Sequence, residues 1–168
     1  MRAMIRLSAL AVVLSGSMAL AQDDNTKMTP EQQAQWAKVQ AIMAKADTVE
    51  LYSLNPDHRT KKDDQDLFHG WQVLGKTTVK GEDQKKVAAV LDKVRGGLGA
   101  RCFDPRHAVR FATKDTRVDL LICYECSWVY VFVGDDQRVA SLTIRDGQDV
   151  LDAILTAAKV PLATKPKK

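Results

Sequence analysis

The chain has 168 residues, a formal net charge of +4 and three cysteines. Its charges are nearly balanced and its one basic cluster is the last four residues, which argues against a nucleic-acid-binding protein, because such proteins cluster basic charge on a binding face. After the N-terminal region no segment approaches the ~20 apolar residues of a transmembrane helix, so we expect no membrane span.

The first 21 residues have the features of a secretory signal peptide. Arg2 and Arg6 form a positive region, residues 7–14 are apolar, and Ala19-Leu20-Ala21 is an A-x-A cleavage signal. The apolar run is too short for a membrane helix. We therefore expect an exported protein, either periplasmic or extracellular.

The residues after the cleavage signal, 147 of the 168, suit one domain. The polar residues 22–28 are expected to be disordered, 29–162 to form a single domain, and 163–168 to be a flexible basic tail.

The first predicted helix begins at Thr29. The Thr29 hydroxyl can cap the helix, Pro30 suits its first position, and Gln32 completes a capping box. Apolar residues at spacings of three and four give the helix one buried face: Trp36, Val39, Met43 and Ala46.

Two strand-like runs follow, at 49–54 and at 67–79, with a polar loop at 55–66 between them. Gly70 and Gly75 are expected to mark bulges or a bend in the second run. A second helix ends at Gly96-Gly97, and its apolar face consists of Val87, Val90, Leu91 and Val94.

The C-terminal part changes to short runs of strand-forming residues, separated by turns at 114–115 and 134–136. These runs are 108–113, 117–124, 127–133 and 138–144, and a last helix at about 147–158 precedes Pro161. Consecutive strands with short turns form antiparallel sheets. The predicted fold class is α+β: an antiparallel sheet with a C-terminal four-strand meander and about three helices packed on one face.

The pairing of the predicted hairpin brings the cysteines together. A two-residue turn at 114–115 pairs Arg106 with Cys123, and a three-residue turn pairs His107 with Cys123 instead. In either register Cys102 and Cys126 lie at the same end of the hairpin. The sequence therefore predicts a cluster of three cysteines, an arginine and a histidine.

A bend is predicted at residues 124–127. Residues 118–133 contain no Gly, Pro or Asn, yet one straight strand of that length would run about 50 Å, which exceeds the ~40 Å width of a domain of this size. Residues 124–127 are poor turn formers. We therefore expect a cross-link or a metal to fix the turn.

The first interpretation of the cluster is a structural disulfide from Cys102 to Cys123 or to Cys126. Exported proteins commonly carry disulfides because their compartment is oxidising. Closing a loop of this size is worth about 3 kcal/mol in the chain-entropy model. One thiol is then left over and must be buried or used.

The second interpretation is a zinc site. Cys102, His107, Cys123 and Cys126 form a C-x4-H…C-x2-C set, which has the Cys₃His composition of tetrahedral zinc sites. Two points argue against zinc. The first pair of ligands, Cys102 and His107, lacks the usual ligand spacing of zinc fingers, and exported thiols are exposed to oxidation.

The third interpretation is thiol–disulfide exchange by the C-x-x-C at Cys123 and Cys126. Redox motifs of this type normally sit at a helix N-terminus, where the helix dipole lowers the thiol pKa. Here the motif lies between two strands, and Glu125 would disfavour a thiolate. The remaining alternative is three free, buried thiols that act as small core residues.

Two segments of the chain resemble a family of uncharacterised exported bacterial proteins. Cys102-Phe103-Asp104-Pro105-Arg106-His107 is similar to its C-F-x-P-R-H segment, and residues 118–126 are similar to its V-D-x-x-I-C-F-x-C segment, with Tyr124 in place of Phe. Residues 51–56 and 68–71 are also similar. The resemblance implies that these residues form a site, without implying an activity.

No complete catalytic set is present in the sequence: G-x-S-x-G, H-E-x-x-H, P-loop and G-x-G-x-x-G motifs are all missing. We therefore predict a binding or interaction protein with a structural Cys/His cluster, in which a disulfide is favoured and a Cys₃His zinc site is the alternative. Its partner is not identified by the sequence, and an envelope protein is the candidate. Thiol redox chemistry is the enzymatic alternative.

Overall fold

A seven-stranded antiparallel sheet and three helices form the computed structural model, which describes residues 26–59, 67–134 and 137–164. In chain order the elements are α1 (Pro30–Met43), β1 (Thr48–Arg59), β2 (Leu67–Phe68), β3 (Trp71–Thr78), α2 (Gly81–Leu91), β4 (His107–Ala112), β5 (Arg117–Cys123), β6 (Trp128–Val133), β7 (Gln137–Thr143) and α3 (Gln148–Ala157). The predicted α+β class with an antiparallel sheet is confirmed.

Helix α1 begins as its sequence predicts. The Thr29 hydroxyl accepts a hydrogen bond from the Gln32 amide at 3.1 Å, and the Gln32 side chain accepts one from the Thr29 amide at 3.0 Å. This capping box satisfies two of the amides that a helix start leaves without partners. Trp36 and Val39 are the buried residues of the helix.

The strands lie in the order β2-β3-β1-β4-β5-β6-β7, so β1 pairs with both β3 and β4. In the β4–β5 hairpin His107 lies opposite Ile122, and the Thr113 amide donates to the Thr116 carbonyl at 2.9 Å. The two-residue turn at 114–115 is therefore confirmed, and the three-residue alternative is wrong.

The N-terminal half of the sheet differs from the prediction in two places. Residues 55–59 continue β1 instead of forming a loop, because Arg59 pairs with Trp71 of β3. The run 67–79 contains two strands, since the chain reverses at His69 and Gly70, which have φ values of 49° and 85°. Gly75 lies at a bulge, as predicted, where the β1–β3 register shifts.

The two faces of the sheet carry separate hydrophobic clusters. The first cluster combines buried side chains of α1, α2 and α3 with sheet residues such as Leu51, Val109 and Leu120. The second contains no helical residue in the described ranges, and its buried members are Tyr52, Leu54, Phe68, Trp71, Ala108 and Leu121. We call these the helix face and the open face of the sheet.

The open face is covered by two connecting segments. His69, in the β2–β3 turn, stacks on Phe132 of β6 with ring centroids 4.0 Å apart. Phe103, in the segment between α2 and β4, stacks on Tyr130 of β6 at 3.7 Å. The second segment also carries Cys102, so the packing of Phe103 holds this cysteine near the end of β5.

Several predictions lie wholly or partly outside the described residues: the signal peptide at 1–21, most of the segment 22–28, the loop at 60–66 and the tail from 165 onward. Met28 is described and packs against the helix-face cluster. Within the described ranges, no helix has the length and apolar composition that crossing a membrane requires.

Candidate functional site

Residues 124–127 form a tight turn between β5 and β6, which confirms the predicted bend. The Ser127 amide donates to the Tyr124 carbonyl at 3.2 Å, and Ser127 has a φ of 55°. None of these residues favours a left-handed backbone in the way that glycine does. Contacts with another part of the chain must therefore hold the turn in place.

The segment before β4 supplies those contacts. The Ala100 amide donates to the Cys126 carbonyl at 2.9 Å, and the Trp128 indole Nε1 donates to the Ala100 carbonyl at 2.6 Å. A Cβ atom at Gly99 would overlap the Cys126 carbonyl and approach Trp128 Nε1 to 2.6 Å. Glycine is thus required at position 99 for the segment to lie against the turn.

A disulfide joins the two segments at Cys102 and Cys126, whose Cα atoms are 5.9 Å apart. It is one of the two pairings that the sequence left open. Cys102 is exposed, whereas Cys126 is buried in the turn. The cross-link accounts for the turn that residues 124–127 would not form from their own propensities.

Cys123 is the remaining thiol and is buried. Its sulfur accepts a hydrogen bond from the Cys126 amide at 3.3 Å and lies near the backbone of Asp104. Burial raises the pKa of the Cys123 thiol, the charges of Asp104 and Glu125 add to this effect, and the backbone groups of Asp104 and Cys126 only partly oppose it. Cys123 is therefore protonated at neutral pH.

His107 lies on the helix face, opposite to the side on which Cys123 lies. This follows from its pairing with Ile122, because successive residues of a strand point to opposite faces. His107 Nε2 donates to the Asp152 carboxylate of α3 at 2.7 Å, and its ring meets Tyr124 edge-on. The hydrogen bond from His107 lowers the pKa of Asp152.

The four predicted zinc ligands are thus not brought to one point. Among the described residues, the one group of three or more His, Cys, Asp or Glu side chains with ligand atoms within 4.8 Å of one another is Cys102, Asp104 and Cys126. Two of those atoms are the disulfide sulfurs, which offer no thiolate to a metal while the bond is intact.

Arg106, the arginine of the predicted cluster, contacts the turn and the C-terminal segment. Its guanidinium lies 3.2 Å from the Glu125 carboxylate and donates to the carbonyl oxygens of Ala163 and Thr164. The side chain therefore fastens residues 163–164 to the turn that the disulfide holds.

A cleft of about 1020 Å³ opens beside the turn, between the start of β4 and the start of α3. Its lining carries charges of both signs and consists of Arg106, His107, Glu125, Arg145, Asp146, Gly147, Gln148, Asp149, Asp152, Leu162 and Ala163. The sequence does not predict this cleft, because its walls come from four separate segments.

Buried polar atoms without a hydrogen-bond partner among the described residues concentrate near the cleft. They include His107 Nδ1, Arg106 Nε and the Tyr124 hydroxyl. The Ser53 hydroxyl, directly opposite His107 across β1 and β4, is a fourth. Ser53 is 1% exposed, so it is not accessible as a nucleophile despite its place opposite His107.

A second polar group, which the sequence does not predict either, lies within the open face. The Asp119 carboxylate, 1% exposed, accepts two hydrogen bonds from Arg110 at 2.7 Å and contacts His69 Nε2 at 2.9 Å. Burial alone would raise the pKa of Asp119, but the hydrogen bonds from Arg110 and His69 outweigh it and lower the pKa. The sequence signal for this group is the position of Asp119 within the apolar run 118–123, because a buried carboxylate needs a hydrogen-bonding partner.

No protein-family model, curated protein or solved structure matches this chain. The resemblance to the exported bacterial family stays a prediction.

Proposed function

We propose that this is an exported binding protein, and that the cleft beside the disulfide-held turn takes a peptide segment of an envelope protein. The observation that carries the proposal is the lining of the cleft: charged side chains of both signs, including the exposed Arg145, Asp146 and Asp149, surround an open space of about 1020 Å³. A concave site with convergent charged groups suits a bound ligand.

The disulfide connects to this role through Glu125. Glu125 lies between Cys123 and Cys126 in the turn and lines the cleft, where it contacts Arg106. The bond at Cys126 therefore fixes one wall of the cleft, which reduces the conformational entropy that binding would cost. A disulfide of this kind is compatible with the oxidising compartment that the signal peptide implies.

The charges of the cleft indicate the kind of segment that it would take. Arg145 is exposed on one side, and Asp146 and Asp149 are exposed around the start of α3. A ligand with both an acidic and a basic group can pair with both sides. A ligand with one sign of charge would face repulsion from part of the lining.

NMR titration with short peptides tests the proposal. The probes are four-residue peptides with one Lys and one Glu end, two Lys ends, two Glu ends or two Ser ends. We expect the mixed-charge peptide at millimolar concentration to shift the amide signals of Gly147, Gln148 and neighbouring cleft residues.

The matched variants are Gln148→Trp, which fills the cleft, and Ala88→Trp, which adds the same side chain to an exposed position of α2 outside it. The shifts should disappear in Gln148→Trp and persist in Ala88→Trp. Equal shifts with all four peptides, no shifts at all, or shifts that survive in Gln148→Trp would overturn the proposal.

Thiol–disulfide oxidoreduction by Cys123 and Cys126 is the second candidate. It is favoured by the free thiol of Cys123, whose sulfur lies 3.3 Å from the amide of a disulfide cysteine. It is opposed by burial, which raises the Cys123 pKa. Turnover in an insulin-reduction assay that is lost in Cys123→Ser would establish this activity and contradict a purely binding role.

Zinc binding by Cys102, His107, Cys123 and Cys126 is a further alternative, and it applies to the reduced protein. Reduction would release two thiols, but His107 would have to leave Asp152 and reach the other face of the sheet. Stoichiometric zinc in the reduced protein, weakened by His107→Ala, would support this alternative. Zinc affinity unchanged by His107→Ala would exclude the four-ligand site.

A further inference from the structure

All three sulfur atoms lie at one end of the sheet, in the two segments that the disulfide joins. Cys123 Sγ accepts a hydrogen bond from the Cys126 amide and lies near the backbone of Asp104, so it sits between the segment of Cys102 and the turn of Cys126. A cysteine sulfur lies within about 4 Å of its own amide nitrogen. Given the 3.3 Å from Cys123 Sγ to the Cys126 amide, the two sulfurs are at most about 7 Å apart.

We propose that the disulfide exchanges internally with Cys123 and thereby exposes a reactive thiol at Cys102. The Cys123 thiolate forms a bond to Cys126 Sγ, the Cys102–Cys126 bond breaks, and Cys102 leaves as a thiolate. The proton that Cys123 gives to solvent balances the one that Cys102 takes up. One disulfide and one thiol are present before and after, so the exchange needs no oxidant or reductant.

The chain geometry allows both bonds. Cys123 ends β5 and Cys126 lies in the turn that follows it, with its amide 3.3 Å from Cys123 Sγ. A disulfide between them needs Cα atoms within about 7 Å, which a three-residue separation inside a turn can supply. The present bond spans 5.9 Å between Cα atoms. The exchange therefore replaces a link between two segments with a link inside the turn.

The exchange makes a thiol accessible to other molecules. Cys123 is 1% exposed, whereas Cys102 is exposed at the surface. The thiol thus moves from a site closed to solvent to one open to it. There Cys102 can attack a low-molecular-weight disulfide, forming a mixed disulfide while one thiol of that reagent leaves.

The Asp104 carboxylate opposes the release of Cys102. It lies within 4.8 Å of both disulfide sulfurs, and its negative charge disfavours a thiolate at Cys102. The structure holds the Cys102–Cys126 bond, so the form with the exposed thiol is the minor form that a reagent traps.

The test is trapping with iodoacetamide without reductant or denaturant, followed by acid quenching, digestion in acid and mass mapping. We expect the label to accumulate on Cys102, in chains that carry a Cys123–Cys126 link. Peptide labelled at Cys102 should exceed peptide labelled at Cys123 about tenfold, because an exposed thiol reacts faster than a buried one.

Cys123→Ala is the matched control, because it keeps the disulfide and removes the attacking thiol; it should take up no label. Label on Cys123 with the Cys102–Cys126 bond intact would overturn the proposal, and so would no label in the wild type. The labelling pattern of the wild type can be interpreted whether or not the Cys123→Ala variant folds. The outcome is also independent of peptide binding in the cleft.

Discussion

Removing the Cys102–Cys126 disulfide should lower the free energy of unfolding by about 3.5 kcal/mol, the chain-entropy value for a loop closed over a sequence separation of 24. The loss should come chiefly from the unfolded state. In the folded state the two segments are also held by hydrogen bonds from Ala100 to Cys126 and from Trp128 to Ala100. The Cys102→Ala/Cys126→Ala variant should therefore fold to the same structure.

Urea unfolding measured with and without dithiothreitol tests this prediction. Dithiothreitol should destabilise the wild type by nearly as much as the double substitution and should leave the double variant unchanged. The m-value should rise on removal of the link, since the unfolded chain then exposes more surface. Cys123→Ala, which keeps the link, should cost about 1 kcal/mol through loss of a buried sulfur.

A loss below about 1 kcal/mol would refute the structural role of the disulfide, because it would fall well short of the chain-entropy value. So would an equal effect of dithiothreitol on the wild type and on the double variant.

Three further predictions concern other contacts. Asp119→Asn should destabilise by about 2 kcal/mol, less than for a fully buried pair because Arg110 is 29% exposed; urea unfolding at pH 7 measures this, and an unchanged midpoint would contradict it. The folded-state pKa values of Asp119 and Asp152 are lowered. The stability that their ionised forms give to the folded protein is therefore fully present above pH ~4 and is lost as pH falls further. Stability should therefore fall more steeply below pH 4 in the wild type than in Asp119→Asn, and parallel pH curves would refute this. Gly99→Ala should cost about 1–3 kcal/mol through overlap with the turn, and a wild-type denaturation curve would refute the required glycine.

The register of the β4–β5 hairpin could be predicted from the sequence because it depends on local features. The turn at 114–115 fixes which residues pair, and it places His107 opposite Ile122. The bend at 124–127 could be predicted because the run 118–133 would be longer as a straight strand than the domain is wide. Apart from that overall size, both predictions use only short stretches of the chain.

The composition of the site could not be predicted, because it depends on distant segments. His107 meets Asp152 across 45 residues, and His69 meets Asp119 across 50. Strand alternation gives the face on which each residue lies. Because His107 pairs with Ile122, it lies on the face opposite to Cys123, which follows Ile122. Sequence spacing brings these two residues to one end of the hairpin, but not to the same side.

Cys102 and Cys126 are bonded, and Cys123 is the free thiol. Mass mapping of the unreduced protein tests this pairing directly, with digestion in acid, where protonated thiols do not exchange. The predicted result for the freshly purified protein is a linked pair of peptides containing Cys102 and Cys126, with Cys123 unmodified. A dominant Cys102–Cys123 link, or three unlinked thiols, would contradict the claim.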